Sequence, residues 1–442
     1  MIEIIGKYST ARVMTDELAM PKDEYEMALK FVNCHVFTED SVYMPDYHWG
    51  AGCMIGLAMP LTDKAVPNIV GVDIGCNMLY CDFGVHMDWD IAKKTTVDSI
   101  IRRLIPMGFG HHQRPKMNME REFPWAISSL AGKVFTSRLN DKFNTNHKFP
   151  GYDRRWYEDM CKRVNIKVEV ATNSIGTLGG GNHFIEFSNS EATGNTGVTL
   201  HAGSRGLGNK IANYHQKVAK KRLKSLRTVT DKVTIADIKK NNPQEKWDEL
   251  IKHVKLPHTP IGLEYLEGDD WYNYLMEMNF AQIYAEINLN VMMHILLKAI
   301  GLKDSLLLGP NTIHTVHNYV NPDDLIIRKG AVRSIAGERM LIPANMEDGI
   351  LVAEGKSNDD WYGTAPHGAG RLFGRKVMKQ RKDINVDDIR KRMAEKDIFI
   401  SAVPKDEVKE AYKSMAFIER CIEPTATVVD KLIPILPIKA DD

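Results

Sequence analysis

Thr177-Leu-Gly-Gly-Gly-Asn-His-Phe-Ile-Glu-Phe187 carries three consecutive glycines and closes on a largely apolar run. The glycines let the backbone turn sharply and approach other groups closely. The run after them reads as a strand, so the stretch predicts a turn feeding a strand that carries Asn182, His183 and Glu186. Ideal alternation sets His183 on one face and Asn182 with Glu186 on the other, which fits two neighbouring subsites. Further on, Gly197-Val-Thr-Leu-His201 predicts a second strand ending in a histidine, followed by Ala-Gly-Ser-Arg-Gly-Leu-Gly-Asn209. A histidine beside small residues and an arginine is thus a repeated theme.

The theme returns in Gly363-Thr-Ala-Pro-His-Gly-Ala-Gly-Arg371. Its glycines suit a loop that cradles phosphate, and Arg371 offers a fork to phosphate oxygens. His367 between them is placed to be a ligand, a proton carrier or a nucleophile toward phosphorus. Ile69 to Gly75, ending in Gly-Val-Asp-Ile-Gly-Cys76, predicts a buried strand delivering Asp73 and Cys76. Buried together, carboxylate and thiolate call for a cation or a basic partner. Thr312-Ile-His-Thr-Val-His-Asn318 predicts a strand end, with Thr315 and His317 on one side and His314 on the other.

Elsewhere the pattern is mostly scaffold. Lys22 to Asn33 and Val386 to Met393 predict helices. Tyr43 to Gly56 predicts an irregular segment, because prolines and glycines interrupt it, and Asp46 and His48 there are candidate ligands or proton-handling groups. Asp270 to Ile300 predicts a long helix stopped by Gly301. Its interior Glu277, Asn279, Gln282, Glu286, Asn288 and Asn290 exclude a membrane span. Residues 110 to 165 show no clear period, and His111, His112 and His147 there read as surface or loop histidines. Ile326 to Val332 and Ile350 to Ala353 predict strands, with Ile342 to Gly349 an irregular loop between them. The tail, Leu432 to Lys439, is apolar with prolines. Lys217, Lys220, Lys221, Arg222, Lys224 and Arg227 give a charged helical segment at about 214–262, read as a solvated face with an RNA-backbone contact as the alternative.

The 442 residues carry 43% hydrophobic and 26% charged side chains, as soluble globular chains do. A formal charge of +1 means that any nucleic-acid contact must come from local patches. Met1-Ile-Glu-Ile-Ile-Gly-Lys has no signal-peptide pattern. The cysteines at 34, 53, 76, 81, 161 and 421 are scattered thinly, as in a cytoplasmic protein with free thiols. No internal repeat and no long linker appears, so one domain over 1–442 is expected. There is no Walker-A loop and no dinucleotide fingerprint.

Asp73, Cys76, His183, His201 and His317 together could hold one metal, or two if the thiolate bridges them. Ligand softness alone favours zinc. A metal site with a separate histidine in a glycine-rich loop points to phosphoryl or nucleotidyl transfer.

Seven motifs in one order carry a resemblance. They are Met-Pro-Asp-Tyr-His-Trp-Gly-Ala-Gly, Val-Gly-Val-Asp-Ile-Gly-Cys, Leu-Gly-Gly-Gly-Asn-His-Phe-Ile-Glu, His-Ala-Gly-Ser-Arg-Gly-Leu-Gly-Asn, Val-His-Asn-Tyr, Arg-Lys-Gly-Ala-Val and His-Gly-Ala-Gly-Arg. From about residue 40 to the C-terminal lysine the chain resembles the RtcB family of RNA-splicing and repair ligases. The resemblance implies an α/β (α+β) fold, one large domain with mixed sheets around a dimetal cleft and helices at the periphery. It implies joining of RNA 2′,3′-cyclic phosphate or 3′-phosphate ends to 5′-hydroxyl ends, in RNA repair or tRNA splicing, with GTP and manganese. His367 would attack the α-phosphate of GTP. Asp73, Cys76 and His183 would hold one manganese, and Cys76, His201 and His317 the other, so manganese replaces zinc on the family's authority. Asn182, Phe184, Glu186, His317, Asn318, Pro343, Ala344, Asn345, Met346, Gly368, Ala369, Gly370 and Lys439 fall on nucleotide-contacting positions, and Asp46 and Arg205 on positions near the RNA or the metals. Broken-ended RNA and GTP are the implied partners, with an accessory activating protein left open.

The chain departs from the family pattern at Pro343-Ala-Asn-Met-Glu347, where many members have Pro-Gly-Ser-Met-Gly, and at Asn77, Ile350 and Pro366. The altered loop bears on guanine specificity and suggests a divergent bacterial or phage branch. Two rival readings are a dimetal cyclic phosphoesterase that does not ligate and a non-catalytic RNA-end-binding protein.

Overall fold

A computed structural model describes residues 1–254, 258–307 and 311–440, without the side chains of 227–234 and 252–254. Its strands, in chain order, are β1 (Ile2–Ile5), β2 (Thr10–Val13), β3 (Ser41–His48), β4 (Ile55–Pro60), β5 (Asn77–Asp82), β6 (Phe184–Ser190), β7 (Thr196–Ala202) and β8 (Thr312–Val316). Then come β9 (Tyr319–Val320), β10 (Ile326–Lys329), β11 (Ala331–Arg333), β12 (Arg339–Asn345), β13 (Gly349–Gly355), β14 (Thr364–Pro366) and β15 (Ala426–Ile438). They form a sheet β1-β2-β3-β4-β10-β9, a sheet β12-β13-β15-β6-β7-β5-β8 and a ribbon β11-β14. The second sheet is antiparallel throughout, whereas β2 and β3 run parallel in the first. The fold is therefore mixed α/β with helices outside the sheets.

The helix Gly268–Ala299 covers one face of the second sheet. Leu289, Met292, Met293, Leu296 and Leu297 pack there on Leu79, Ile185, Phe187, Val198 and Leu200. Burying that apolar surface is the main stabilising term. The expected helix from Asp270 is confirmed, as are those of Lys22–Val32 and Val386–Ala394.

Other expectations are corrected. Ile69 to Gly75 is not a strand: Pro67–Val70 is one helical turn, started by its proline, and Asp73 lies in the turn before β5. Residues 110–165 hold two helices, Trp125–Phe143 and Arg154–Arg163. Asp153 caps the second, accepting from the Trp156 amide at 2.7 Å. Tyr43 to Gly56 is not wholly irregular, since β3 runs to His48 with its pairing broken between Tyr43 and His48 around Pro45. Ile342 to Gly349 is a hairpin between β12 and β13, with a register shift beside Pro343. The proline-containing tail is the long strand β15, held between β13 and β6. Its ladder slips near Pro434, where a proline cannot donate. His112 lies in a loop, as expected, and is buried there, its Nε2 2.9 Å from the Gly176 carbonyl.

Candidate active site

Four adjacent strands end at one edge of the second sheet. Their antiparallel order brings the start of β6, the end of β7, the start of β5 and the end of β8 side by side. Phe184 pairs with His201, and Asn77 pairs with both Ala202 and Val316. His183, Cys76 and His317 are the residues just outside these strands, and His201 is the penultimate residue of β7. Register alone therefore gathers three imidazoles and a thiol.

Cys76 Sγ lies 3.5 Å from His183 Nε2 and 3.2 Å from His201 Nε2. His201 Nε2 is 3.3 Å from His317 Nε2, and His183 Nε2 is 3.0 Å from Asp73 Oδ2. Two donor sets share the sulfur: Asp73, Cys76 and His183, and Cys76, His201 and His317, with ligand atoms within 4.8 Å of one another. Burial pushes His201 and His317 well below the ordinary imidazole range, so both are neutral bases. Burial pushes the Cys76 thiol well up, and the Asp73 charge adds to it. Burial would also raise Asp73, but the His183 imidazole outweighs it and holds the carboxyl at about 2. Neutral imidazoles aimed at each other, a thiol and a carboxylate form a set that divalent cations would satisfy, at the cost of the thiol proton. The donors fit one or two metals.

His367 follows β14, which β11 pairs through Ala331 and Pro366. Its Nδ1 lies 2.6 Å from Asp46 Oδ2, and its amide donates to the same oxygen at 3.2 Å. Asp46, on β3, is fully buried. The carboxylate can only accept, so Nδ1 carries the hydrogen and Nε2 is left as the basic nitrogen. The rings of His367 and His317 are 4.9 Å apart between centroids, which sets the His367 imidazole beside the donor cluster. Gly370 (φ 73°) makes this contact possible, because a Cβ there would stand 2.2 Å from the Asp46 carbonyl oxygen.

Lys413 ties the two segments together. Its Nζ donates to the Pro45 and Tyr47 carbonyls at 2.8 and 2.7 Å, flanking Asp46, and its amide donates to the Gly370 carbonyl at 3.0 Å. The ammonium sits 3.5 Å above the Tyr47 ring, and burial brings it down to about 8. His48 points back with its Nδ1 2.9 Å from the Asp46 carbonyl oxygen, and burial lowers it to about 4.

A cleft of about 680 Å³ opens over His367. Asn182, Phe184, Glu186, His317, Asn318, Pro343, Ala344, Asn345, Met346, Gly368, Ala369, Gly370 and Lys439 all line it, as do Asp73 and His201. Burial pushes Glu186 up to about 8, against the opposing pull of Lys439. Lys439 donates to Glu407 Oε2 at 3.2 Å and lies over the Phe184 ring at 5.5 Å. The expected split of His183 from Glu186 is seen, since His183 joins Asp73 and Cys76 while Glu186 faces the cleft. Asn182 and His183, however, precede the strand.

Arg371 does not present a free fork to phosphate. It donates to Glu407 Oε1 at 3.1 Å, to the Tyr412 hydroxyl at 3.2 Å and to the Asp406 carbonyl at 2.5 Å. It braces the loop instead. Arg205 donates to Thr177 Oγ1 at 3.0 Å and the Gly108 carbonyl at 2.7 Å, over the turn where a Cβ on Gly179 would meet its guanidinium at 1.8 Å. In the altered loop, Asn345 Oδ1 accepts from the amides of Glu347 and Asp348, and buried Glu347 accepts from Arg392 Nε at 2.8 Å. Sequence reasoning missed Lys413 and Glu407, for which spacing gives no signal.

The sequence model described as tRNA-splicing ligase RtcB matches residues 28–440 of this chain. The chain belongs to the RtcB family. The RNA-splicing ligase RtcB of Escherichia coli K12 is 27% identical over 394 residues, covering 84% of this chain and 83% of that protein. The tRNA-splicing ligase RtcB of Aeropyrum pernix is 26% identical over 435 residues, covering 85% and 82%. That of Methanococcus maripaludis is 23% identical over 463 residues, covering 91% and 88%. Identity this low across nearly the whole length marks a divergent RtcB member. Among the described residues, no helix is long and apolar enough to cross a membrane.

Proposed function

We infer that this chain is an RNA ligase that joins 2′,3′-cyclic phosphate or 3′-phosphate RNA ends to 5′-hydroxyl ends, with GTP as co-substrate. The observation that carries the reading is the 2.6 Å pairing of His367 with buried Asp46 beside a cluster of three imidazoles, a thiol and a carboxylate. Asp46 fixes the tautomer, so His367 Nε2 presents its lone pair to phosphorus without first losing a proton. Attack on the α-phosphate of GTP forms an N–P bond and releases pyrophosphate. A cyclic phosphate end is first opened by water, which breaks the P–O2′ bond and leaves a 3′-phosphate; the GMP then passes to the RNA 3′-phosphate, restoring the imidazole. The 5′-hydroxyl attacks that activated phosphate, GMP leaves, and a phosphodiester remains.

Asp73, Cys76 and His183 would hold one manganese and Cys76, His201 and His317 a second. Bound there, the cations supply positive charge to the non-bridging phosphate oxygens. Glu186, Lys439, Phe184 and Asn182 on one wall, and the 343–346 segment on the other, would form the guanylate pocket. The chain would act as one domain in the cytoplasm, where its six free cysteines stay reduced. Its role would be RNA repair or tRNA splicing.

The test is joining of a 3′-phosphate RNA to a 5′-hydroxyl RNA with GTP and manganese. A product lost in His367→Ala supports the reading. Conversion of a cyclic phosphate to a monoester, with no joined product, would instead identify a phosphoesterase.

A further inference from the structure

The helix Arg205–Asn241 starts beside the donor cluster: His201 lies four residues before it, and a Cβ on Gly179 would meet both the Arg205 guanidinium and His183 Nδ1. From there to Arg227 it contains no aspartate or glutamate. Lys210, Lys217, Lys220, Lys221 and Lys224 are all exposed. At 3.6 residues per turn they fall within an arc of roughly 100°, and from Lys210 to Lys224 the row is roughly 21 Å long. Leu207, Ile211, His215, Ala219 and Leu223 are buried and occupy the opposite face. The acids that reach this part of the helix do so away from the lysine arc: Glu267 binds Arg222, and Glu264 accepts from Gln216 at 2.8 Å. Among the described residues, Lys210, Lys217, Lys220 and Lys221 make no ion pair with a carboxylate. In a chain of formal charge +1, a row of one sign this long is a local field rather than a global one.

We propose that this lysine face is the track on which the phosphates of the substrate RNA lie as the strand leaves the cleft. The proposal rests on the ligase reading for its ligand. Lys210 stands roughly 8 Å along the helix axis from Arg205, so the row begins within about one or two nucleotides of the reacting end. Flexible ammonium groups in a line suit a backbone contact without base readout. The lysines contribute affinity and position the strand while taking no part in nucleotidyl transfer to His367.

The test uses the full chain and a fluorescent single-stranded RNA with a 3′-phosphate, titrated by anisotropy over a series of salt concentrations. The variants are the triple substitutions of Lys217, Lys220 and Lys221 to alanine and, separately, to arginine. Each released phosphate contact contributes about −0.7 to the salt slope on a single strand, so the alanine variant should lose roughly 2 from the slope. The arginine variant should keep it. Labelling of His367 by GTP should stay at the parent rate in both. An unchanged slope in the alanine variant assigns these lysines to solvent or to an acidic protein partner and overturns the proposal. RNA binding that depends on the lysines in a chain that forms no GMP adduct would keep the track and remove the ligase reading. Absence of RNA binding by the parent chain would remove both.

Discussion

Asp46 Oδ2 lies 2.6 Å from His367 Nδ1 and accepts from the His367 amide at 3.2 Å, so one buried carboxylate fixes both the ring and the backbone of the proposed nucleophile. The two residues are 321 positions apart in the chain. Asp46→Asn keeps the shape but removes the charge and replaces one acceptor oxygen with an amide donor, so the reactive tautomer is no longer enforced. The rate of GMP transfer to His367 should fall by about 10²- to 10⁴-fold, with an unchanged circular dichroism spectrum. A labelling time course measures it.

Lys413 acts one step further out. Its ammonium holds the carbonyls on either side of Asp46, and its amide holds Gly370. Lys413→Met should lower the labelling rate at saturating GTP by about tenfold, because small misplacements of reacting groups are costly. The KM for GTP should move little, and Lys413→Arg should recover part of the rate. A rise in KM alone would place Lys413 in nucleotide binding instead.

Metal content should follow the sharing of Cys76. Both donor sets use its sulfur, whereas His183 belongs to one and His317 to the other. Elemental analysis after manganese loading and dialysis should find two ions in the parent chain. His183→Ala and His317→Ala should each lose one, and Cys76→Ala should lose both. Equal losses in all three variants would contradict a bridging thiolate.

Burial lifts Glu186 to about 8, well above an unfolded carboxyl. The folded chain therefore holds a proton at this site that the unfolded chain releases near pH 4.5. Its contribution to stability is full at lower pH and declines as pH rises toward 8. Glu186→Gln, which cannot ionise, should raise the melting temperature of the nucleotide-free chain at pH 8, and the gain should vanish near pH 4.5. Thermal melts across that range read this directly. A gain independent of pH would show that Glu186 is not protonated when folded.

The donor cluster was legible because each of its members stands within two residues of a glycine or at a strand end, where the chain must turn and a side chain can face a cavity. Long-range relations were not. Nothing near Arg371 in sequence announces that Glu407 will claim it, and nothing near Asp46 announces His367. The strand content of the 343–349 hairpin and of the tail was masked by prolines, which the folded sheet accommodates at register shifts. The helix at Arg154 could have been found from its capping Asp153 and the apolar spacing of Trp156, Tyr157, Met160 and Cys161. The lysine segment was legible as a charged helical face, but the start of that helix beside the donor cluster became visible only in the fold.

The most direct measurement is incubation with manganese and α-labelled GTP beside a His367→Ala control. A protein–GMP adduct that is acid-labile, stable to alkali and absent from the control is the predicted result. Absence of any adduct with GTP or ATP, in a preparation that still opens a cyclic phosphate in a metal-dependent way, would contradict nucleotidyl transfer through His367.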